Sequence, residues 1–164
     1  MSTDDIAQAR GRALSSPVRM RILRLCLHEA HTNKEIAQKL DLNPATALHH
    51  VRTLLATGFL EAQDVRTGNR GAKEIPYKAT GLSWGVNMPN GAPVMIETFL
   101  QEIDGLTPEE LDVWRMGVKL NDANRTEMMG RLRDVLNDYA RREPDPDGTP
   151  TSLFLAHHLD NTAG

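Results

Sequence analysis

One cysteine, Cys26, stands in the 164 residues. No disulfide can therefore close within a single chain, and no thiolate cluster for zinc, arsenic or cadmium can be assembled from it. No stretch approaches the roughly 18 consecutive apolar residues of a membrane-spanning helix. The opening residues MSTDDIAQAR also lack the apolar core of a leader peptide. These absences predict a soluble, cytoplasmic protein with no membrane partner. Internal repeats and low-complexity runs are missing as well. So are Ser/His/Asp or Cys/His arrangements and glycine-rich phosphate loops, and nothing in the chain points to an enzyme, a catalytic residue or a cofactor. The length suits one or two small units rather than a large enzyme scaffold.

Positive charge is scarce in one half only. Residues 1–80 carry 12 Lys/Arg against 8 acids, net +4, while residues 81–164 carry 7 against 14, net -7. A basic half followed by an acidic one predicts that the first faces an anionic polymer and the second does not.

The basic half is punctuated for short helices. Ser16-Pro17 is a cap followed by proline at the first helical position, and Val18, Ile22, Leu25 and Cys26 recur at helical spacing, which predicts a helix over roughly 17–30. Thr32 and Glu35 have the spacing of a capping box, opening a second helix that turns Ile36, Ala37 and Leu40 inward. Asp41-Leu42-Asn43 separates it from a third helix, opened by Pro44 and stopped by Gly58. Two short helices joined by a three-residue turn form a helix-turn-helix candidate. The extended runs Phe59–Val65 and Glu74–Thr80 then flank RTGNRGAK, whose glycines and basic residues read as a hairpin tip. Pro76 cannot donate to a ladder, so the second run is expected at an edge.

This order of elements resembles a winged helix. LSSPVRMRILRLCL followed by NKEIAQKLDLNPATALHHVRTLLATGFLE is similar to the ArsR-type bacterial repressors, over residues 12–80. The resemblance implies a cytoplasmic, nucleoid-associated transcription regulator that binds double-stranded DNA as a homodimer. The founding members sense metals through cysteine pairs or Asp/His sites on a C-terminal helix. This chain has neither pattern, so metal sensing does not follow.

The adjacent pair His49-His50 invites a metal reading, which a helical wheel opposes. Stepping 100° per residue from Val51 places Ala47, Leu48, Leu54 and Leu55 on the core side and Thr46, His49 and Thr53 nearly opposite. Ala45 and Arg52 flank that outer face on one side and His50 on the other. The two imidazoles diverge by roughly 100° and cannot chelate as an i, i+4 pair would. Small outward residues suit a close approach to the major groove, where the imidazoles and Arg52 can read bases or grip phosphate. The candidate DNA-binding residues are thus Lys34, Ala45, Thr46, His49, His50, Arg52 and Thr53, with Arg66, Arg70 and Lys73 on the wing tip at 66–73. The alternative is a winged-helix module whose recognition helix, 44–57, meets protein instead.

Beyond Thr80, TGLSWGVNMPNGAPV reads as a linker over 81–92, and 93–164 as a dimerisation or effector region. An apolar helix is predicted over 93–104 and another over 122–142, its Met129, Leu132, Val135, Leu136 and Tyr139 turned inward. Residues 113–120 alternate like a strand, although Leu111, Trp114 and Val118 also fit a helix. SLFLAHHL reads as a buried strand, making a βαβ unit. The predicted fold class is therefore mainly α with a small β-wing, followed by a C-terminal α+β region. Trp84, Met95, Phe99, Trp114, Met116 and Phe154 can line a pocket for an unidentified small-molecule effector, or serve as plain core or dimer interface. His157, His158 and Asp160 form a weak metal candidate, since alternate strand faces part the two histidines.

Overall fold

A computed structural model describes residues 3–68, 71–86, 88 and 90–160. It divides into a compact unit that runs to Asp104 and a second that starts at Gly105.

Helix α1 (Thr3–Leu14) leads into α2 (Pro17–Leu25), whose N-cap is Ser16 and whose first residue is Pro17. Helix α2 ends at Cys26, short of the expected residue 30, because the chain must turn back to lay His31–Thr32 down as strand β1. The capping box forms as its spacing predicts. The Glu35 amide donates to Thr32 Oγ1 at 3.3 Å, and the Thr32 amide donates to Glu35 Oε2 at 2.8 Å. That box opens α3 (Asn33–Lys39), and a three-residue turn leads to Asn43, whose Oδ1 accepts from the Ala45 amide at 2.8 Å. Helix α4 (Pro44–Ala56) follows and closes at Gly58, whose φ of +77° is the left-handed conformation that stops a helix.

The wing is a ladder in two parts. Strands β2 (Leu60–Ala62) and β5 (Pro76–Ala79) pair antiparallel with Leu60 opposite Ala79, and farther out β3 (Arg66–Thr67) pairs with β4 (Lys73–Glu74). The expected edge position of Pro76 is corrected: the sheet order is β1-β5-β2, and Thr32 lies opposite Pro76. A proline at the first residue of a strand forfeits only one donor, and its carbonyl still accepts from the Gln63 amide at 2.8 Å. The partner on its other side, the two-residue β1, is too short to carry any periodic signal.

Leu14, Ile22, Cys26, Ile36, Val51, Leu54 and Phe59 are fully buried and join α1 through β2 into one core. Each large aliphatic or aromatic side chain among them stabilises the fold by about 1.5–3 kcal/mol. Burial pushes the Cys26 thiol up to about 12, which holds it in the neutral form. Helix α5 (Ala92–Ile103) belongs to the first unit and lies against α2, where Arg24 Nε meets Glu102 Oε1 at 2.7 Å.

The second unit departs from the expected βαβ. Thr107 and Glu110 make a capping box over a single 3-10 turn (Pro108–Glu110), and α6 (Asp122–Ala140) follows with Asn121 as its cap. Among the described residues, neither 113–120 nor 152–159 enters a ladder, and neither is helical. Two strands alone make a sheet that is only marginally stable, and among the described residues no third strand or buried helix face of this unit supports one. The residues expected inward on α6 are also corrected, since Leu132, Val135 and Tyr139 lie exposed and no residue of that helix is buried.

Candidate nucleic-acid interface

The sequence pattern of α4 determines which of its sides can meet a partner. Ala47, Val51 and Leu54 are buried, with Leu48 and Leu55 half-buried behind them. Turning that stripe inward leaves Ala45, Thr46, His49 and Arg52 exposed along the opposite side. Thr53 is half-buried, and its hydroxyl donates to the His49 carbonyl at 3.1 Å. Its hydrogen atom is therefore committed to the helix backbone.

The two histidines are closer than their wheel angle suggests but differ in environment. Their ring centroids lie 5.5 Å apart with the planes at 64°, an edge-on contact. His49 is exposed, whereas His50 is half-buried and its Nδ1 is enclosed without a hydrogen-bond partner among the described residues. Burial, together with the charge of Arg19 and the neighbouring His49, lowers the His50 pKa. The ring is therefore neutral at physiological pH, with one donor and one acceptor. No cluster of three or more His, Cys, Asp or Glu side chains able to hold a metal gathers among the described residues. His157 and His158 are exposed, and His158 Nδ1 lies 2.8 Å from the Leu159 carbonyl oxygen.

The basic residues outside α4 fall into two kinds. Lys34 and Lys73 are exposed, Lys34 on the first turn of α3 and Lys73 at the start of β4. Arg66 is partly exposed and ion-paired. Its guanidinium pairs with the Glu35 carboxylate on α3 and lies 3.6 Å from Glu74 Oε2 on β4. Arg70 lies outside the described residues. Lys34, Gln38, Glu35, Arg66 and Glu74 line a cleft of about 480 Å³ between the start of α3 and the wing.

Several residues that hold this face in place carried no signal in the sequence. Asn33 Nδ2 donates to the Pro44 carbonyl at 3.0 Å, tying the start of α3 to the start of α4. Arg10 Nε donates to the Thr57 carbonyl at 3.2 Å, just past the end of α4, and its guanidinium stands 6.0 Å from the centre of the Phe59 ring. Arg19 reaches back to the Ala13 and Arg12 carbonyls. Glu35 was legible as a helix cap but not as the anchor of Arg66. The Asn33, Arg10 and Glu35–Arg66 contacts span residues that only the tertiary fold brings together.

Two helices joined by a tight turn, the second presenting a small-residue face beside a β-wing, match a known family model for this segment, the "Helix-turn-helix domain", over residues 14–63. Residues 14–63 are similar to that family, and the match covers under a third of the chain. With its wing, the domain has the winged form, which accords with the likeness of residues 12–80 to ArsR-type repressors. Helix-turn-helix domains bind DNA by placing the second helix in the major groove.

Solved structures similar to the chain include three from bacteria. An ArsR-like transcriptional regulator from Rhodococcus sp. RHA1 is 17% identical, with 82% of this chain and 96% of that one covered and a TM-score of 0.43. Reduced HlyU from Vibrio cholerae N16961 is 17% identical over 60% and 90%, with a TM-score of 0.39. An apo-form variant of ZitR from Lactococcus lactis is 16% identical over 76% and 83%, also at 0.39. Likenesses this distant assign no role to any residue of the present domain. No curated protein matches the chain.

Trp84, Met95 and Phe99 belong to the first unit, while Trp114, Met116 and Phe154 belong to the second. Trp114 and Met116 project into solvent.

Proposed function

We propose that the protein is a sequence-specific DNA-binding transcriptional regulator that acts as a homodimer. In this reading α4 lies in the major groove, with Ala45, Thr46, His49 and Arg52 toward the bases and His50 and Thr53 flanking them. Lys34, Arg70 and Lys73 grip phosphate or the minor groove. The observation that carries the reading is the outward face of α4: small residues, one exposed imidazole and one exposed guanidinium, set beside a wing that exposes Lys73. Thr46 offers a methyl for a thymine, His49 a hydrogen bond to a purine edge, and Arg52 a two-pronged contact with guanine. One such domain spans only a few base pairs, so two copies are needed to join half-sites about one helical turn apart. The net -7 half of the chain would be repelled by phosphate and should face away from it.

In vitro selection with the full chain should enrich one palindromic sequence. Against that site, Arg52→Ala should cost about 1–3 kcal/mol if the side chain reads a base. An equal loss on all sequences, with a shallower salt slope, would reassign Arg52 to phosphate. Failure to enrich any sequence, with weak salt-insensitive binding, would point to a protein partner instead.

A further inference from the structure

His50 stands at the edge of the outward face of α4, half-buried, and its two ring nitrogens are not equivalent. Nδ1 is enclosed and meets no hydrogen-bond partner among the described residues, whereas Nε2 is not so enclosed. A hydrogen on Nδ1 would be a buried donor without an acceptor. Native structures tolerate a buried acceptor without a donor more readily than the reverse, so the bare lone pair at Nδ1 is the lesser cost. The ring hydrogen therefore resides on Nε2.

The surroundings oppose a second proton. Helix α4 packs chiefly against α2, α3 and β2. The charged side chains of α2 are all arginines, and Arg19 among them acts on His50, as does the neighbouring His49. Neither Glu35 of α3 nor Glu61 of β2 ion-pairs with the ring, and Glu35 is engaged by Thr32 and Arg66. Arginine has no acceptor to offer an N–H, and Arg19 already donates to the Ala13 and Arg12 carbonyls.

We propose that His50 is a fixed neutral donor, presenting Nε2–H to a phosphate oxygen of the DNA backbone at the edge of the groove. A flanking position on a recognition helix faces the wall of the groove rather than its floor, and the phosphate oxygens there are all acceptors. The positive charge of Arg19 beside the ring favours an anion at the same place. The inference rests on the DNA-binding reading above and names the nitrogen and the partner that His50 contributes to it.

Two measurements on the full chain test it. Long-range proton–nitrogen correlation NMR spectra of the free, isotope-labelled protein should show Nδ1 bare and Nε2 protonated throughout about pH 6 to 8, where an ordinary imidazole titrates. The His50 signals are those that vanish in His50→Gln. Glutamine carries an amide N–H near the Nε2 position, and asparagine only near Nδ1. His50→Gln should therefore bind DNA nearly as wild type does, while His50→Asn should bind roughly ten- to a hundredfold more weakly, the worth of one hydrogen bond to a charged group. That loss should be equal on selected and unrelated DNA. Because a neutral donor displaces no counterion, the salt slope should not change. A loss confined to the selected sequence overturns the phosphate partner, and a shallower slope or a hydrogen on Nδ1 overturns the fixed neutral donor. Wild-type binding by His50→Asn overturns the contact. If His50→Asn fails to fold, the spectra and the His50→Gln affinity still decide. A wild-type chain that binds no DNA overturns the DNA-binding reading and this contact with it, while the nitrogen assignment is judged by the spectra alone.

Discussion

Glu35 does two separable jobs, and substitution should divide them. Its carboxylate accepts from the Thr32 amide at 2.8 Å and from the Thr32 hydroxyl at 3.0 Å, and it also pairs with Arg66. The cap contact is charge-assisted and partly buried, worth about 1 kcal/mol by the usual effect of losing a cap. The ion pair joins side chains 44% and 35% exposed, so solvent screening holds it to about 0.2–1 kcal/mol. Glu35→Ala loses both and should destabilise the first unit by about 1–2 kcal/mol, lowering its melting temperature by roughly 5–15 °C for a unit of this size. Glu35→Gln can still accept from the Thr32 amide, as glutamine does in capping boxes, and should lose only the ion-pair part. Arg66→Ala should lose about the same amount, and the double variant should show little further loss beyond Glu35→Gln. Urea titrations of the four proteins measure these differences. If Arg66→Ala leaves stability untouched but weakens binding to unrelated DNA as much as Lys73→Ala does, Arg66 is a phosphate contact and not a strut between wing and α3.

The same carboxylate predicts a pH dependence. The Thr32 amide first, and then Arg66, hold the Glu35 pKa below its ordinary 4.5 against a smaller opposing effect of burial. A carboxyl depressed on folding contributes stability that is full above about pH 4.5 and is lost as the pH falls through the lowered value. The Glu35→Gln variant should therefore lose less stability than wild type between pH 5 and 3 in thermal melts. Gly58→Ala should cost about 1–2 kcal/mol from backbone strain at φ +77°, since the added Cβ would stand an ordinary 3.6 Å from Arg10 Nη2. Gly58→Asn should cost less, and equal losses in denaturant midpoints would show that strain is not the cause. Neutralising Arg70 and Lys73 together should weaken binding to operator and unrelated DNA alike and make the salt slope shallower by about 1–2, and an unchanged slope would remove the wing tip from the interface.

The parts of this fold legible in the sequence are those encoded within a few residues. Ser16-Pro17, the Thr32–Glu35 box, Asn43-Pro44 and Gly58 each bracket a helix by local hydrogen bonding or backbone conformation, and the four signals delimit the helix-turn-helix domain. The outward set on α4 followed from a wheel, because burying Ala47, Val51 and Leu54 fixes where His49 and Arg52 point. What could not be read depends on distant partners. Strand β1 is two residues long and exists only because β5 lies beside it, and the central place of Pro76 follows from that. Arg66 looked like a free cation at a wing tip because nothing local reveals Glu35, 31 residues earlier. In the second unit the alternation at 113–120 meets no strand partner among the described residues, and alternation alone does not make a ladder. Thr53 and His50 qualified by angle alone, and packing then occupied or enclosed part of each side chain.

Arg10 has a consequence for signalling across the protein. It belongs to α1, which lies outside the helix-turn-helix domain proper, yet it holds the carbonyl of Thr57 just past the end of α4 and covers Phe59. Anything that pulls α1 from its seat must release that carbonyl and uncover a fully buried aromatic ring. The position of the N-terminal helix and the alignment of α4 are thereby linked as one equilibrium, and such linkage runs in both directions. If α4 binds DNA as proposed, a ligand or subunit contact that favours one seating of α1 would change DNA affinity by some factor, and seating α4 on DNA would change the affinity for that ligand or contact by the same factor.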